Sequence, residues 1–328
     1  MTHLPKVSVI LAVYNGAEFL NECIESIRNQ TLSAFEFIIV DDASTDRTPD
    51  ILKHHVAEDN RIVVLTNERN KERSISRNIA IKSSSTDLIA VMDADDIAEP
   101  DRLEKQYAFM TAHPEISLCG SFMSYLNSNG IWSGVCDDVS IRARMLFECP
   151  IAHPTVMFRR NVVMNVGGYD ENMSAAEDYT LWAVLAENMS IHFANIPELL
   201  VRYRTYPHLT RQEYYQKQRE GARLVHKKLL QRLGLPCLPS NLDLHWLCTG
   251  YYNLSIVDLV RADLWFNAIL KANERYHIFN HTALVTEISE RRSKLRMQVR
   301  TVKSFLLIIW RLLPDAVRFF VRDAMKRS

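Results

Sequence analysis

An apolar run, Leu88-Ile89-Ala90-Val91-Met92, ends abruptly in Asp93-Ala94-Asp95-Asp96. Five consecutive apolar residues bounded by polar ones read as a buried strand. Three carboxylates within the next four positions are costly there unless something neutralises them. In an open α/β sheet the carboxyl ends of strands are where ligands bind. A divalent cation carrying a diphosphate would supply the missing charge, and hard oxygen ligands suit Mg2+ or Mn2+. The alternative is a solvated acidic turn before a helix, with Asp96 or Glu99 as cap and Pro100 opening the helix. The tetrapeptide alone leaves both readings open.

The flanking chain supplies the sheet. Residues 7–13 form a strand, Tyr14-Asn15-Gly16 a turn, and residues 17–29 a helix with Phe19, Leu20, Cys23, Ile24 and Ile27 on one face. Residues 35–40 are apolar almost without a break, as a buried parallel strand is, and lead into Asp41-Asp42-Ala43-Ser44-Thr45-Asp46. A helix over 48–57, a strand over 61–66, a helix over 74–83 and the strand over 88–92 follow. This alternation predicts an α/β fold with a mostly parallel sheet and right-handed crossovers. A helix over 100–112 and an apolar segment over 116–125 continue the domain. The first turn has no GxGxxG and the chain no GxxxxGK[ST], which argues against NAD, FAD and a P-loop. Tyr14 and Asp42 at the strand ends suit a nucleotide base, the ring by stacking and the carboxylate by accepting a base N–H.

The formal net charge is zero but unevenly spread. Residues 291–328 hold eleven Lys/Arg against two Asp/Glu, net +9, so the other 290 residues are net −9. The six cysteines show no CxxC and no Cys/His metal spacing, and read as buried thiols in a reducing compartment. Residues 1–6 lead straight into a strand, so no secretory leader is expected. No run of 18 apolar residues exists, so no membrane span is expected.

Residues 7–15, Ile27-Arg28-Asn29-Gln30-Thr31, the segment 35–46, Ser76-Arg77-Asn78 and Asp93-Ala94-Asp95-Asp96 together resemble family 2 glycosyltransferases, which have the GT-A fold. The resemblance covers roughly residues 5–205 and implies a nucleotide-sugar donor, a divalent metal and inversion at the anomeric carbon. It implies that Ala12 and Tyr14 line the base pocket, that Asp42 reads the base and that Arg77 lies near the nucleotide. It places Asp93 toward the ribose and makes Asp95 the metal ligand, with Asp96 and Asp93 secondary. One departure is Asn70-Lys71-Glu72-Arg73-Ser74, where the family commonly has glycines; Arg73 could replace Arg77 as the phosphate-side cation.

His153-Pro154-Thr155, Gly167-Gly168-Tyr169-Asp170 and Glu177-Asp178 resemble acceptor-side motifs of the same family, which implies that Asp178 is the catalytic base with Glu177 in support. The chemistry asks for two separate acidic sites, one for the metal and one for the acceptor's proton. Read without the resemblance, Glu177-Asp178 is first-turn charge complementing a helix dipole, opening an apolar helix over 180–187. His153 could be a ligand, a phosphate donor or a satisfied loop histidine, the last favoured for a lone histidine; His192 and His208 have weaker claims.

Residues 1–208 thus read as the catalytic domain and 209–328 as a helical extension. Thr210-Arg211-Gln212-Glu213 is a capping-box signature for a helix closed by Gly234 and Pro236. One or two helices over 242–272 carry Trp246, Tyr251, Tyr252, Trp265 and Phe266 as core, and 282–300 is a charged helix. The tail over 291–328, with its apolar 305–313 stretch, fits either an amphipathic contact with an anionic membrane surface or a packed terminal helix. Nucleic acid is a poor partner, because aliphatic rather than stacking groups interleave the charge. The expected activity is transfer of a hexose from UDP-glucose or UDP-galactose to a lipid-linked or polysaccharide acceptor, in the cytoplasm and peripherally on the inner membrane face. A nucleotidyltransferase and a non-catalytic nucleotide-sugar or glycan binder are the alternatives.

Overall fold

The computed structural model describes residues 4–205, 211–250 and 255–312, with the side chains of 211–215 and 299–312 left out. The chain divides into two compact units, Met1–Lys228 and Leu229–Ser328.

In the first unit β1 (Val7–Val13), β2 (Phe35–Asp41), β3 (Ile62–Thr66) and β4 (Leu88–Val91) alternate with α1 (Leu20–Arg28), α2 (Thr48–Glu58) and α3 (Arg73–Ser83). β1 pairs parallel with both β2 and β4, and β2 pairs parallel with β3. The order β3-β2-β1-β4 means that the chain winds outward from β1, then returns to its other side. The carboxyl ends of β1 and β4 flank that reversal, where α/β sheets form their ligand crevice. Val7, Val9, Leu11 and Val13 join Leu20, Cys23, Ile24 and Ile27 of α1 in one apolar core, so strand period and helix period bury the same face.

Beyond β4 the sheet departs from simple alternation. β5 (Ile97–Ala98), α4 (Arg102–Ala112), β6 (Ile116–Tyr125), β7 (Ile131–Trp132), α5 (Asp138–Met145), β8 (Met157–Arg159), α6 (Arg160–Asn165), α7 (Glu177–Leu185) and β9 (His192–Tyr203) follow. β8 lies antiparallel between β4 and β6, β9 runs parallel to β6, and β5 closes the edge antiparallel to β9. The sequence does not announce β9: register shifts against β6 break its alternation, and Pro197, Glu198 and Leu199 are exposed at that point.

Several boundaries differ from the expected ones. α1 begins at Leu20, because Gly16 O accepts from the amides of both Phe19 and Leu20 and holds residues 16–19 as a turn. α4 begins at Arg102 with Asp101 as N-cap, so neither Asp96 nor Glu99 caps it. Cys136 is exposed, and Cys149 and Cys237 half-buried, so only Cys23, Cys119 and Cys248 are the buried thiols the sequence suggested.

Both units contribute to α8 (Arg211–Arg232), and the second adds α9 (Pro239–Leu247), α10 (Ile256–Tyr276) and α11 (His281–Leu312). Gly234 at φ 66° closes α8, and Leu235 N donates back to Leu230 O at 3.0 Å. α10 opens with a Ser255–Asp258 capping box. Trp265 and Phe266 are buried as expected, and the Trp265 indole N–H donates to His245 Nδ1 at 3.1 Å. Thr210, His208, Tyr251, Tyr252 and the tail beyond Leu312 lie outside the described residues, as do the side chains of 305–312.

Candidate active site

The loops after β1 and β2 are zipped together by four bonds. Asn15 N donates to Ser44 Oγ (2.9 Å), Gly16 N to Thr48 Oγ1 (2.9 Å), Ala17 N to Asp46 Oδ2 (3.1 Å), and Thr45 N to Asn15 Oδ1 (2.8 Å). Tyr14 stands beside them, 50% exposed, and Ala12 is half-buried on the strand below. Asp42 is buried. Its Oδ1 accepts from Asn67 Nδ2 at 2.7 Å and from the Lys71 amide at 2.9 Å, so a base N–H would have to approach its other oxygen.

The acidic loop after β4 is clasped by Arg204, just past β9. The Arg204 amide donates to Asp96 Oδ1 (2.8 Å), its Nε to the Asp95 carbonyl (2.9 Å) and its Nη2 to Glu22 (2.6 Å), and its guanidinium lies over the Phe19 ring at 4.1 Å. Asp96 is fully buried, yet its Oδ2 has no hydrogen-bond partner. Burial, reinforced by Asp93 and Asp95, pushes its carboxyl up to about 9. An orphaned buried oxygen beside two more carboxylates fits a divalent cation with oxygen ligands. Asp93 differs. Burial raises it, but the charges of Arg77 and His153 outweigh burial and hold it well below the usual range.

Arg77 ties this loop to the other half of the site. Only 7% exposed, its side chain donates through Nη2 to Asp93 Oδ1 at 2.8 Å and through Nη1 to Glu177 Oε1 at 2.6 Å. Burial pushes Glu177 up, while Arg77, Arg73 and His153 bring it below the ordinary value. Arg73 is more exposed and stands 3.7 Å from Glu177. His153 lies in the site, its Nδ1 3.5 Å from Asp93 Oδ2 and its Nε2 3.0 Å from the Tyr169 hydroxyl. The next residue of α3, Asn78, donates to the Tyr169 carbonyl (2.9 Å) and accepts from the Tyr169 amide (2.9 Å). A side chain at Gly168 would meet Asn78 Oδ1 at 2.4 Å, and Gly168 has φ 84°, so only glycine fits there. The Arg-Asn, His-Pro-Thr, Gly-Gly-Tyr and Glu-Asp segments are thus one interlocked assembly.

Asp178 points elsewhere. Its Oδ2 lies 3.7 Å from Cys149 Sγ and its Oδ1 accepts from the Tyr179 amide at 2.7 Å. Burial, then the charge of Glu177, raises its carboxyl above the ordinary value, the direction a general base benefits from. The two neighbours opening α7 therefore face different partners, Glu177 a guanidinium and Asp178 a thiol. Ala176, the N-cap, sits at φ 56°.

Residues 8–165 match the profile of glycosyl transferase family 2, and residues 88–314 that of glycosyl transferase family group 2. The chain belongs to glycosyl transferase family 2. This family 2 glycosyltransferase is 32% identical over 243 residues to the O-antigen biosynthesis glycosyltransferase WbnJ of Escherichia coli, covering 72% of this chain and 94% of that one. Its structure is similar to S. aureus TarS 1–349 in complex with UDP-GlcNAc, with TM-score 0.60 and 19% identity over 91% of this chain and 90% of that one; it spans 55% of the longer TarS chain. It is also similar to the mannosyltransferase PcManGT from Pyrobaculum calidifontis in complex with GDP-Man and Mn2+, with TM-score 0.56 and 16% identity over 94% and 88% of the two chains. Those likenesses concern the fold, which is GT-A as expected.

Sequence reasoning missed Cys149, and it reached Arg204 only as part of the stretch 201–208, which the family resemblance offered as a late ligand or phosphate contact and not as the clasp of the acidic loop. Arg204 follows a strand that the pattern hid, and nothing local marks Cys149 as the neighbour of a carboxylate 29 residues away. Among the described residues, Glu25, His55 and Glu58 lie close enough to share an ion, but Arg28 Nη1 already donates to Glu25 (2.5 Å) and Glu58 (2.9 Å). His192 stands 3.7 Å from Asp138.

Proposed function

We propose that this glycosyltransferase transfers a hexose, with inversion, from a UDP-sugar to a lipid-linked or polysaccharide acceptor in cell-surface glycan synthesis, with glucose and galactose as the leading donor sugars. One observation carries the reading: an under-neutralised acidic loop at the sheet's switch point and a separate raised carboxylate, Asp178, are joined through Arg77 and Glu177. The O-antigen role named for WbnJ and the UDP-GlcNAc bound by TarS support the acceptor and donor classes.

Asp95, with Asp96, would hold Mn2+ or Mg2+, and the ion would act as a Lewis acid on the leaving diphosphate; the Mn2+ of PcManGT supports this. Tyr14 stacks on the base, the Ala12 backbone borders it, and Asp42 accepts its N–H. Asp178 takes the proton from the attacking acceptor hydroxyl. Arg77 balances Asp93 and Glu177, so that neither carboxylate competes with Asp178 for that proton.

The +9 tail would rest on anionic lipid at the inner face of the cell membrane. Among the described residues no helix is long and apolar enough to cross a membrane.

The test is thermal stabilisation by a panel of nucleotide sugars with Mn2+ or chelator, followed by transfer assays with the stabilising donors. UDP-hexoses with metal should raise Tm, and chelator should cancel the effect. Stabilisation by nucleoside triphosphates alone, with none from sugar nucleotides, would refute the reading.

A further inference from the structure

α10 is apolar on two sides. Its inward face buries Ala262, Trp265, Phe266 and Ile269. At about 100° per residue, Ile256, Val260, Leu264 and Val257 fall within one arc on the opposite side. They are exposed by 55%, 57%, 65% and 66%. Farther along the helix the same face turns polar, at exposed Asn267 and Lys271. A surface helix ordinarily places polar residues opposite its buried stripe. One exposed aliphatic side chain needs no explanation; four adjoining ones over about two and a half turns do.

Two ion-paired arginines stand beside this stripe, Arg261 with Asp258 at 3.8 Å and Arg296 with Asp263 at 3.5 Å. Arg261 is 52% exposed on the same helix, and Arg296, on α11, is 61% exposed. α10 and α11 form an antiparallel hairpin. Arg292 and Arg296 both reach Asp263, and Asn273 closes the turn through the Phe279 amide and carbonyl. α11 runs on to Leu312, 16 residues beyond Arg296, about 24 Å at 1.5 Å per residue. α10 ends eight residues before Asp263 at the Ser255 cap, about 12 Å away. α11 therefore continues past the amino end of α10, and its last turns hold the apolar stretch 305–312 in sequence with Lys303 and Arg311. The outward stripe occupies the end of the hairpin from which this basic, apolar segment departs.

We infer that the outward face of α10 is a lipid-contacting surface, which lies in the headgroup–acyl boundary of an anionic leaflet alongside the tail. The inference rests on the membrane reading of the tail given above. Charge selects the occupant. Residues 291–312 of α11 hold seven Lys/Arg and no Asp/Glu, so a second copy seated on this stripe would bring like charges together, whereas anionic headgroups complement them. Aliphatic groups flanked by Arg and Lys, on a helix lying flat, are the features of an interfacial segment.

The test compares full-length wild type, Val260→Gln/Leu264→Gln, and a tail variant with Arg318, Arg322, Lys326 and Arg327 changed to Gln. Binding is measured by flotation on vesicles of equimolar phosphatidylglycerol and phosphatidylethanolamine, at low and high salt. Wild type should float at low salt and retain part of its binding at high salt, where headgroup attraction is screened. The stripe variant should bind about tenfold more weakly or worse and lose the salt-resistant part, with Tm and UDP affinity unchanged. The tail variant should lose mainly the salt-sensitive part. If the stripe variant floats like wild type, the lipid role of α10 is overturned and the tail reading stands. Wild type that ignores these vesicles at low salt overturns both. A wild-type dimer that the stripe substitutions dissociate, with vesicle binding intact, would assign the face to a second copy instead.

Discussion

Arg77 donates to Glu177 Oε1 at 2.6 Å across 100 residues of sequence, and with its other terminal nitrogen it holds Asp93. The acidic loop after β4 and the amino end of α7 thus share one buried cation. Sequence resemblance placed Arg77 beside the nucleotide; in the structure both of its terminal nitrogens are committed to protein carboxylates.

Arg77→Gln should destabilise the fold by about 3–5 kcal/mol, because it leaves buried carboxylates unpaired. Glu177→Gln added to it should recover part of the loss, since the orphaned charge disappears with it. Chemical denaturation of both single variants and the double variant measures this, and simple additivity would mean the pair is not coupled. Asp93 and Glu177 are both held below their ordinary values. Their stabilisation is therefore complete above the unfolded values of about 4 and is lost as pH falls below them. Arg77→Gln should unfold at a higher pH than wild type on acid titration.

Asp178→Asn keeps shape but cannot take a proton, so transfer should fall by about 10²–10⁴ with UDP affinity retained. The carboxyl is raised by burial and by Glu177, and a base acts only when deprotonated. The acid limb of kcat/KM should therefore lie above the ordinary aspartate value of about 3.9, and Glu177→Gln, which removes a neighbouring negative charge, should move it down. A limb that stays put in Glu177→Gln, or near-normal transfer in Asp178→Asn, would take the base role from Asp178.

Asp42→Asn should weaken UDP binding about tenfold or more through the loss of a charged acceptor. Calorimetry on both proteins decides it: equal affinities would remove Asp42 from the nucleotide site.

Glu72 has φ 73° and ψ 156°, a region that essentially only glycine enters without strain. The family commonly has glycines here and this chain has none, yet the backbone keeps the glycine-like turn. Glu72→Gly should stabilise by about 1 kcal/mol, the relieved strain exceeding the entropy glycine adds to the unfolded chain. A lowered Tm would contradict this.

The sequence by itself determined the parallel half of the sheet, β3-β2-β1-β4, and the strand ends that border its crevice. β1 to β4 and their helices rest on local period, and Tyr14, Asp42 and Asp93–Asp96 fall at strand ends because strand length fixes where a strand stops. It also singled out Asp178 and Glu177 as a pair. Only the tertiary structure decided which of the two meets a guanidinium, that His153 joins Asp93, and that Arg204 clasps the acidic loop. Those contacts join segments 60 to 109 residues apart. They depend on β8 entering antiparallel between β4 and β6, and on β9 running beside β6 with broken register. Local periodicity records which face of a segment is apolar, but not which strand it pairs with, because pairing is set by burial against residues elsewhere in the chain.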